Sequence, residues 1–188
     1  MNISSVKGNH DEYAYILPEL GTVNPMAEAS AKWTTDQLSM DDVQWLKDLP
    51  MTHEAFGATF THASLDTTNE WVYVRDPESA NNCLKMQNNP ICYVGHTHVP
   101  CAYVHKAFAQ PLDIYSTINY EDDLQYVINV GSVGQPRDND PRAAYVVCDT
   151  SNATIDLRRV EYPIAETQRK IRDVGLPERL ATRLDEGC

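Results

Sequence analysis

The chain has 188 residues with 42% hydrophobic and 22% charged side chains, an ordinary composition for a folded domain and unlike disordered, collagenous or low-complexity chains. Lys plus Arg total 15 against 27 Asp plus Glu, giving a net charge of −12. A surface this negative repels phosphate backbones and anionic headgroups, so the composition argues against nucleic-acid and membrane-surface partners. The five cysteines (83, 92, 101, 148 and 188) have no C-x-x-C spacing, which excludes a disulfide framework or a structural zinc cluster as the expectation. No apolar run approaches the roughly 20 residues of a membrane span, and the start has neither the basic nor the apolar part of a signal peptide. The expectation is a cytoplasmic protein with reduced thiols, forming a single domain over residues 1–188.

In chain order, residues 3–6 read as a short strand running into a turn at Gly8-Asn9-His10-Asp11. Apolar residues recur at helical spacing over 27–33 and again over 40–47, where Ser39 and Asp42 supply a cap and Pro50 a stop. Residues 26–50 fit either a lid over a site or a structural helical pair. Residues 55–61 read as one strand ending at His62, and 71–74 as an extended run. Asp76-Pro77 opens a helix that reaches Met86. Residues 90–94 carry no charge and lie between Pro90 and Gly95, as in a strand buried on both faces. Further strands are expected at 102–104, 112–117, 126–130, 144–148 and 155–160, a density that suggests a sheet built largely from hairpins. Pro163 opens a helix that Gly175 closes, and Pro177 opens another containing Leu180 and Leu184.

Three segments place His or Asn where a strand ends: Gly8-Asn9-His10-Asp11, Thr61-His62-Ala63-Ser64 and Gly95-His96-Thr97-His98. Strand-end loops are favoured positions for function because the sheet behind them fixes their geometry. Taken singly, His62 fits a satisfied core or surface residue, and Gly-Asn-His-Asp is also a plain turn sequence. The Gly-His-x-His turn has fewer structural reasons to exist, and paired imidazoles can address adjacent metal ions. His53 and His105 have no such context and are read as structural. Arg137 could reach a substrate phosphate oxygen, or pair inside its own loop with Asp138 and Asp140. Trp33, Trp45, Trp71 and the tyrosines fit core packing as readily as base stacking.

Together, and in this order, the three segments resemble the calcineurin-like metallophosphoesterase superfamily. The run Asn129-Val130-Gly131-Ser132-Val133-Gly134-Gln135-Pro136-Arg137-Asp138 and the tail Gly175-Leu176-Pro177-Glu178-Arg179-Leu180 resemble its bacterial phosphodiesterase or diadenosine-tetraphosphatase-like branch. The resemblance implies an α/β fold, an αββα sandwich of two mixed sheets with helices outside. It implies two divalent metal ions (Mn, Fe, Zn or Ni) and hydrolysis of phosphate mono- or diesters of a small soluble substrate, a phosphoester or nucleotide. By the same resemblance Asn9, His62 and His96 hold one ion and His98 the other. His10 faces the substrate as proton donor, and Arg137 is the substrate-binding candidate. The family pattern starts with an Asp-x-His and a Gly-Asp strand end, and neither occurs in residues 1–7. The expectation is therefore a domain lacking its first strands and short of anionic ligands, with impaired metal binding. Its exposed strand edges suggest a homo-oligomer, and the alternative function is that of a non-catalytic remnant acting as an interaction or oligomer-forming protein.

Overall fold

A computed structural model describes residues 3–18, 23–112 and 116–188. Three helices come first, α1 (Asn9–Tyr13), α2 (Pro25–Gln37) and α3 (Met40–Asp48), followed by strands β1 (Thr52–Ala55) and β2 (Ala58–Thr61). Helix α4 (Pro77–Met86) precedes β3 (Ile91–Val94), β4 (Cys101–Lys106), β5 (Phe108–Leu112), β6 (Thr117–Asn119), β7 (Tyr126–Asn129), β8 (Ala143–Asp149) and β9 (Thr154–Val160). Helices α5 (Ile164–Asp173) and α6 (Glu178–Glu186) close the chain.

The strands form two sheets. The larger has the order β1-β2-β3-β7-β4-β5 and the smaller β6-β9-β8. In the larger sheet β2, β3 and β7 run parallel, while β1, β4 and β5 are antiparallel to their neighbours. The three-stranded sheet is antiparallel. Hairpins thus build the margins, as the short strand spacing suggests, but the centre is parallel. That arrangement brings the C-terminal ends of β2, β3 and β7 to one edge of the molecule.

Period-two alternation sorts the core. Ile91, Tyr93, Tyr126, Ile128, Ala102 and Val104 face the smaller sheet, where Ile118 and Ile155 meet them. Cys92, Val94, Val127 and Tyr103 point the other way, onto Ala80, Cys83 and Leu84 of α4. A strand buried on both faces carries no polar residue to mark a side, which is why residues 90–94 read as one apolar run. Helix α4 starts where Asp76 Oδ1 accepts from Ser79 N at 2.8 Å, with Pro77 at its first position. The cap expected on α3 is present too, with Ser39 N donating to Asp42 Oδ2 at 3.0 Å.

Several local expectations are corrected. Residues 3–6 join no ladder; Lys7 N instead donates to Pro50 O at 2.8 Å, tying this segment to the end of α3. Gly8-Asn9-His10-Asp11 is not a bare turn but the start of α1, with Gly8 N donating to Asp11 Oδ2 at 2.7 Å. The single strand expected at 55–61 is a hairpin whose two-residue turn, Phe56 and Gly57, has φ of 53° and 73°. Such a turn needs two left-handed residues, and Phe gives no sequence signal for one. Residues 71–74 lie outside any ladder, Trp71 itself having φ of 56°. Of the strand expected at 112–117, Leu112 ends β5 and Thr117 begins β6, while 113–115 fall outside the described residues. Helices α2 and α3 each pack against α1: Thr35 Oγ1 of α2 donates to Tyr13 O at 3.4 Å, and Lys7 Nζ, just before α1, donates to Lys47 O of α3 at 2.9 Å.

Strand β8 is an edge strand among the described residues. Beside it a groove of about 1090 Å³ opens between the sheets, lined by Phe60, Tyr93, Val133, Tyr145 and Val146 and reaching His62 and Gly95. All five cysteines are free. No helix among the described residues is long and apolar enough to cross a membrane.

Candidate metal centre

His62 directly follows β2 and His96 follows β3 by two residues, so two parallel neighbours deliver both imidazoles to the same sheet edge. Gly95 N donates to His62 O at 3.0 Å, extending the pairing past both strand ends. The rings then meet: His62 Nε2 lies 3.0 Å from His96 Nδ1. Asn9, at the start of α1, puts its Oδ1 3.0 Å from the same His62 Nε2. Gly8 lets α1 approach this closely, since a Cβ there would sit 3.0 Å from His62 Nδ1.

Aromatic rings and one buried amide hold the arrangement. Tyr73 stacks on His96 with centroids 4.1 Å apart, and Trp71 meets His62 edge-on at 5.7 Å. The Trp71 indole donates to Glu12 Oε2 at 3.1 Å, so this segment is tied back to α1. Asn129, fully buried at the end of β7, donates to Gly95 O at 2.7 Å and to Thr97 Oγ1 at 2.9 Å. Its Oδ1 accepts from Gly131 N at 3.0 Å, joining the His96-Thr97-His98 turn to the loop after β7. His96 and His98 both have left-handed backbone, with φ of 65° and 62°. Conformations of this kind persist only where surrounding contacts impose them.

His98 has its own anchor. Its Nδ1 donates to Gln135 O at 2.7 Å, which leaves Nε2 with the lone pair. Arg137 is anchored to the same place: its N donates to His98 O at 3.1 Å and its Nη2 to Gln135 Oε1 at 2.8 Å. The guanidinium thus bonds within its own loop, but to Gln135 rather than to Asp138 or Asp140 as weighed from the sequence. Asp138 instead pairs with Arg159, and Asp140 with Arg142 at 2.6 Å.

Burial keeps the histidines neutral. It is the largest cause lowering His62 from the ordinary 6.5 to about 3, and His96 and His98 to about 4 each, with neighbouring positive charges adding to it. His10 is lowered as well, first by burial and then by Arg137. Neutral imidazoles present lone pairs, the form a metal ion takes.

The donor set fits one ion. Two ligands about 2.1 Å from a shared metal and cis to each other are about 3.0 Å apart. That is the spacing of His62 Nε2 from both Asn9 Oδ1 and His96 Nδ1. All three donors are uncharged, and among the described residues no three His, Cys, Asp or Glu side chains gather at one point. A second ion would have His98 alone among the predicted ligands. Of the sequence candidates, Asn9, His62 and His96 therefore meet, His98 and Arg137 share a neighbouring anchor, and His10 stands next to Asn9 on α1. Asn129 and Gln135 lie in the run that carries the resemblance but were given no role from the sequence, and Tyr73 was read only among the tyrosines. A polar residue ending an otherwise apolar strand was the available signal for Asn129.

Comparison with known proteins gives the family and the fold. Residues 1–153 match the calcineurin-like phosphoesterase superfamily domain. An uncharacterised protein of Methanocaldococcus jannaschii is 31% identical over 188 residues, covering 98% of this chain and 75% of that protein. The crystal structure of a metallophosphoesterase from Sphaerobacter thermophilus superposes with a TM-score of 0.83 at 36% identity, over 100% of this chain and 77% of that one. A hypothetical protein from Pyrococcus horikoshii shares the fold, with a TM-score of 0.75 at 17% identity over 100% of this chain and 74% of its own. Both in sequence and in the two-sheet fold that brings Asn9, His62 and His96 together, the chain belongs to the calcineurin-like phosphoesterase superfamily.

Proposed function

We propose that the chain is a metal-dependent phosphoester hydrolase acting on a small soluble phosphate mono- or diester. The observation that carries this reading is that Asn9 Oδ1 and His96 Nδ1, from two further segments, each lie 3.0 Å from His62 Nε2. Asn9, His62 and His96 would hold one divalent ion and His98 Nε2 would serve a second, with Mn, Fe, Zn or Ni suited to such ligands. When bound, the ions supply charge stabilisation for the phosphoryl group and acidify the attacking water.

The chain's own residues do the rest. His10 supplies a proton to the leaving oxygen, and Arg137 holds a phosphate oxygen through its guanidinium. The net charge of −12 favours a small substrate over a nucleic-acid polymer. The absence of carboxylates from the described cluster favours a second reading, in which one ion is held weakly and the protein acts by interaction rather than turnover.

Metal content per chain after Mn loading and desalting, measured beside p-nitrophenyl phosphate hydrolysis, separates the two. Tightly held ions with turnover that His10→Ala abolishes while the metal stays bound support the hydrolase. Metal-free protein without turnover supports the interaction protein.

A further inference from the structure

The strand that delivers His96 does not by itself orient the imidazole. Strand β3 ends at Val94, and His96 stands two residues beyond it, in left-handed backbone with φ of 65°. Asn129 bonds Gly95 O and Thr97 Oγ1, the residues on either side of His96. The ring itself is met by residues 71–73. Tyr73 lies nearly parallel to it, with centroids 4.1 Å apart and planes 10° from each other. The Trp71 backbone hydrogen-bonds the same imidazole.

Residues 71–73 are themselves held from outside the site. Ser64 N donates to Val72 O at 3.0 Å, and Val74 is buried in one cluster with Ala80, Cys83 and Leu84 of α4. Arg75 N donates to Ser79 Oγ at 3.1 Å, at the start of that helix. Trp71 and Tyr73, two residues apart, thereby keep their rings on the histidines, Trp71 edge-on to His62 and Tyr73 stacked on His96. Through the Trp71 indole and Glu12 the segment also reaches α1, which carries Asn9. One short stretch thus touches every part of the chain that supplies a donor. Tyr73 has no part in either core cluster and is 40% exposed. Among the described residues its hydroxyl makes no hydrogen bond, and Arg75 Cζ stands 5.9 Å from its centroid. Neither burial nor a polar bond accounts for the ring, which leaves the stack on His96.

We propose that Tyr73 is a positioning residue of the candidate metal centre, its ring setting the plane of His96 so that Nδ1 faces His62 Nε2 and the ion that both would hold. The stack supplies no ligand. It limits rotation of the imidazole, which would swing the Nδ1 lone pair off the ion. A ligand held in place beforehand binds more tightly, because less freedom is lost when the ion arrives. The inference rests on the metal-centre reading given above, but it needs no turnover.

Equilibrium dialysis of Mn against the full chain, with the visible spectrum of the Co-loaded chain as a reading of ligand geometry, tests it. Tyr73→Leu keeps apolar bulk without a flat ring. It should weaken Mn binding about tenfold and change the Co spectrum, while the melting temperature of the chelated chain barely moves. Tyr73→Phe restores the stack and should return Mn affinity to within about twofold of the unsubstituted chain. Trp45→Leu removes an exposed ring from α3 and controls for the loss of an aromatic as such. Should Tyr73→Leu fail to fold by circular dichroism, Tyr73→Met decides in its place, with the same loss expected. Mn affinity and Co spectrum unchanged in the folded Leu or Met variant, or an equal loss in Tyr73→Phe or Trp45→Leu, overturns the inference and leaves the metal centre standing. An unsubstituted chain without Mn affinity is a different failure: it defeats the metal-centre reading itself, and the role of Tyr73 falls with it.

Discussion

His62 and His96 are 34 residues apart in the chain, yet His62 Nε2 and His96 Nδ1 lie 3.0 Å from each other. Adjacent parallel strands end side by side, so the residues that follow them are neighbours whatever the length of the crossover between them. If this pair binds a metal ion, His62→Ala and His96→Ala should each weaken Mn binding at least about tenfold. Equilibrium dialysis with elemental analysis measures it, and Mn affinity unchanged in both variants would remove the proposed first ion.

Gly8 offers a gentler perturbation of the same site. Its φ of −109° is ordinary for any residue, so alanine introduces no backbone strain. The new methyl would stand 3.0 Å from His62 Nδ1 and must displace the ring by a few tenths of an ångström. Gly8→Ala should lower Mn affinity about tenfold, the size expected when a ligand is misoriented rather than removed. Its melting temperature without metal should barely move. A large fall in melting temperature would show that Gly8 serves the fold instead of the site.

Asn129 links two loops through a side chain with no exposed surface. Asn129→Leu keeps a similar volume but leaves Gly95 O, Thr97 Oγ1 and Gly131 N without this partner. The loss should be about 2–4 kcal/mol, since buried polar groups stripped of a partner retain their full desolvation penalty. Urea unfolding gives the number, and a change below about 0.5 kcal/mol would mean that the loops hold each other without it.

The buried histidines set an acid limit on the metal-free chain. His62 falls to about 3 and His96 and His98 to about 4, below the ordinary 6.5 that they regain on unfolding. Between those values the unfolded chain binds more protons than the folded one, so acid favours unfolding. Stability should be complete above pH 6.5 and decline as pH falls towards 4. The urea midpoint of the chelated chain at pH 7.5 and at pH 5.5 checks the sign. His62→Gln should flatten the dependence, and a midpoint that does not fall on acidification would mean that the rings are solvated.

The elements most legible in the sequence were those fixed by local chemistry. Asp76 and Pro77 mark the start of α4, Ser39 and Asp42 cap α3, and the uncharged run before Gly95 gives β3, because caps and strand burial depend on a few neighbouring residues. The Phe56-Gly57 turn was not legible, since its left-handed Phe is stabilised by the pairing of β1 with β2 and not by its own preference. The three motifs could be found as residues from the sequence, and two of them, at His62 and at His96-Thr97-His98, were rightly placed after strands, whereas Gly8-Asn9-His10-Asp11 starts a helix. Only the tertiary structure decided which of them touch: the parallel order β2-β3-β7 joined His62 and His96 and brought Asn129 to their turn, and the close approach of α1 at Gly8 added Asn9. Only the backbone contact at Gly187 fixed the end of α6 against residues 139–140, in the loop that carries Arg137. Local signals act over a few residues, whereas a site is made where distant segments are forced together by a shared core.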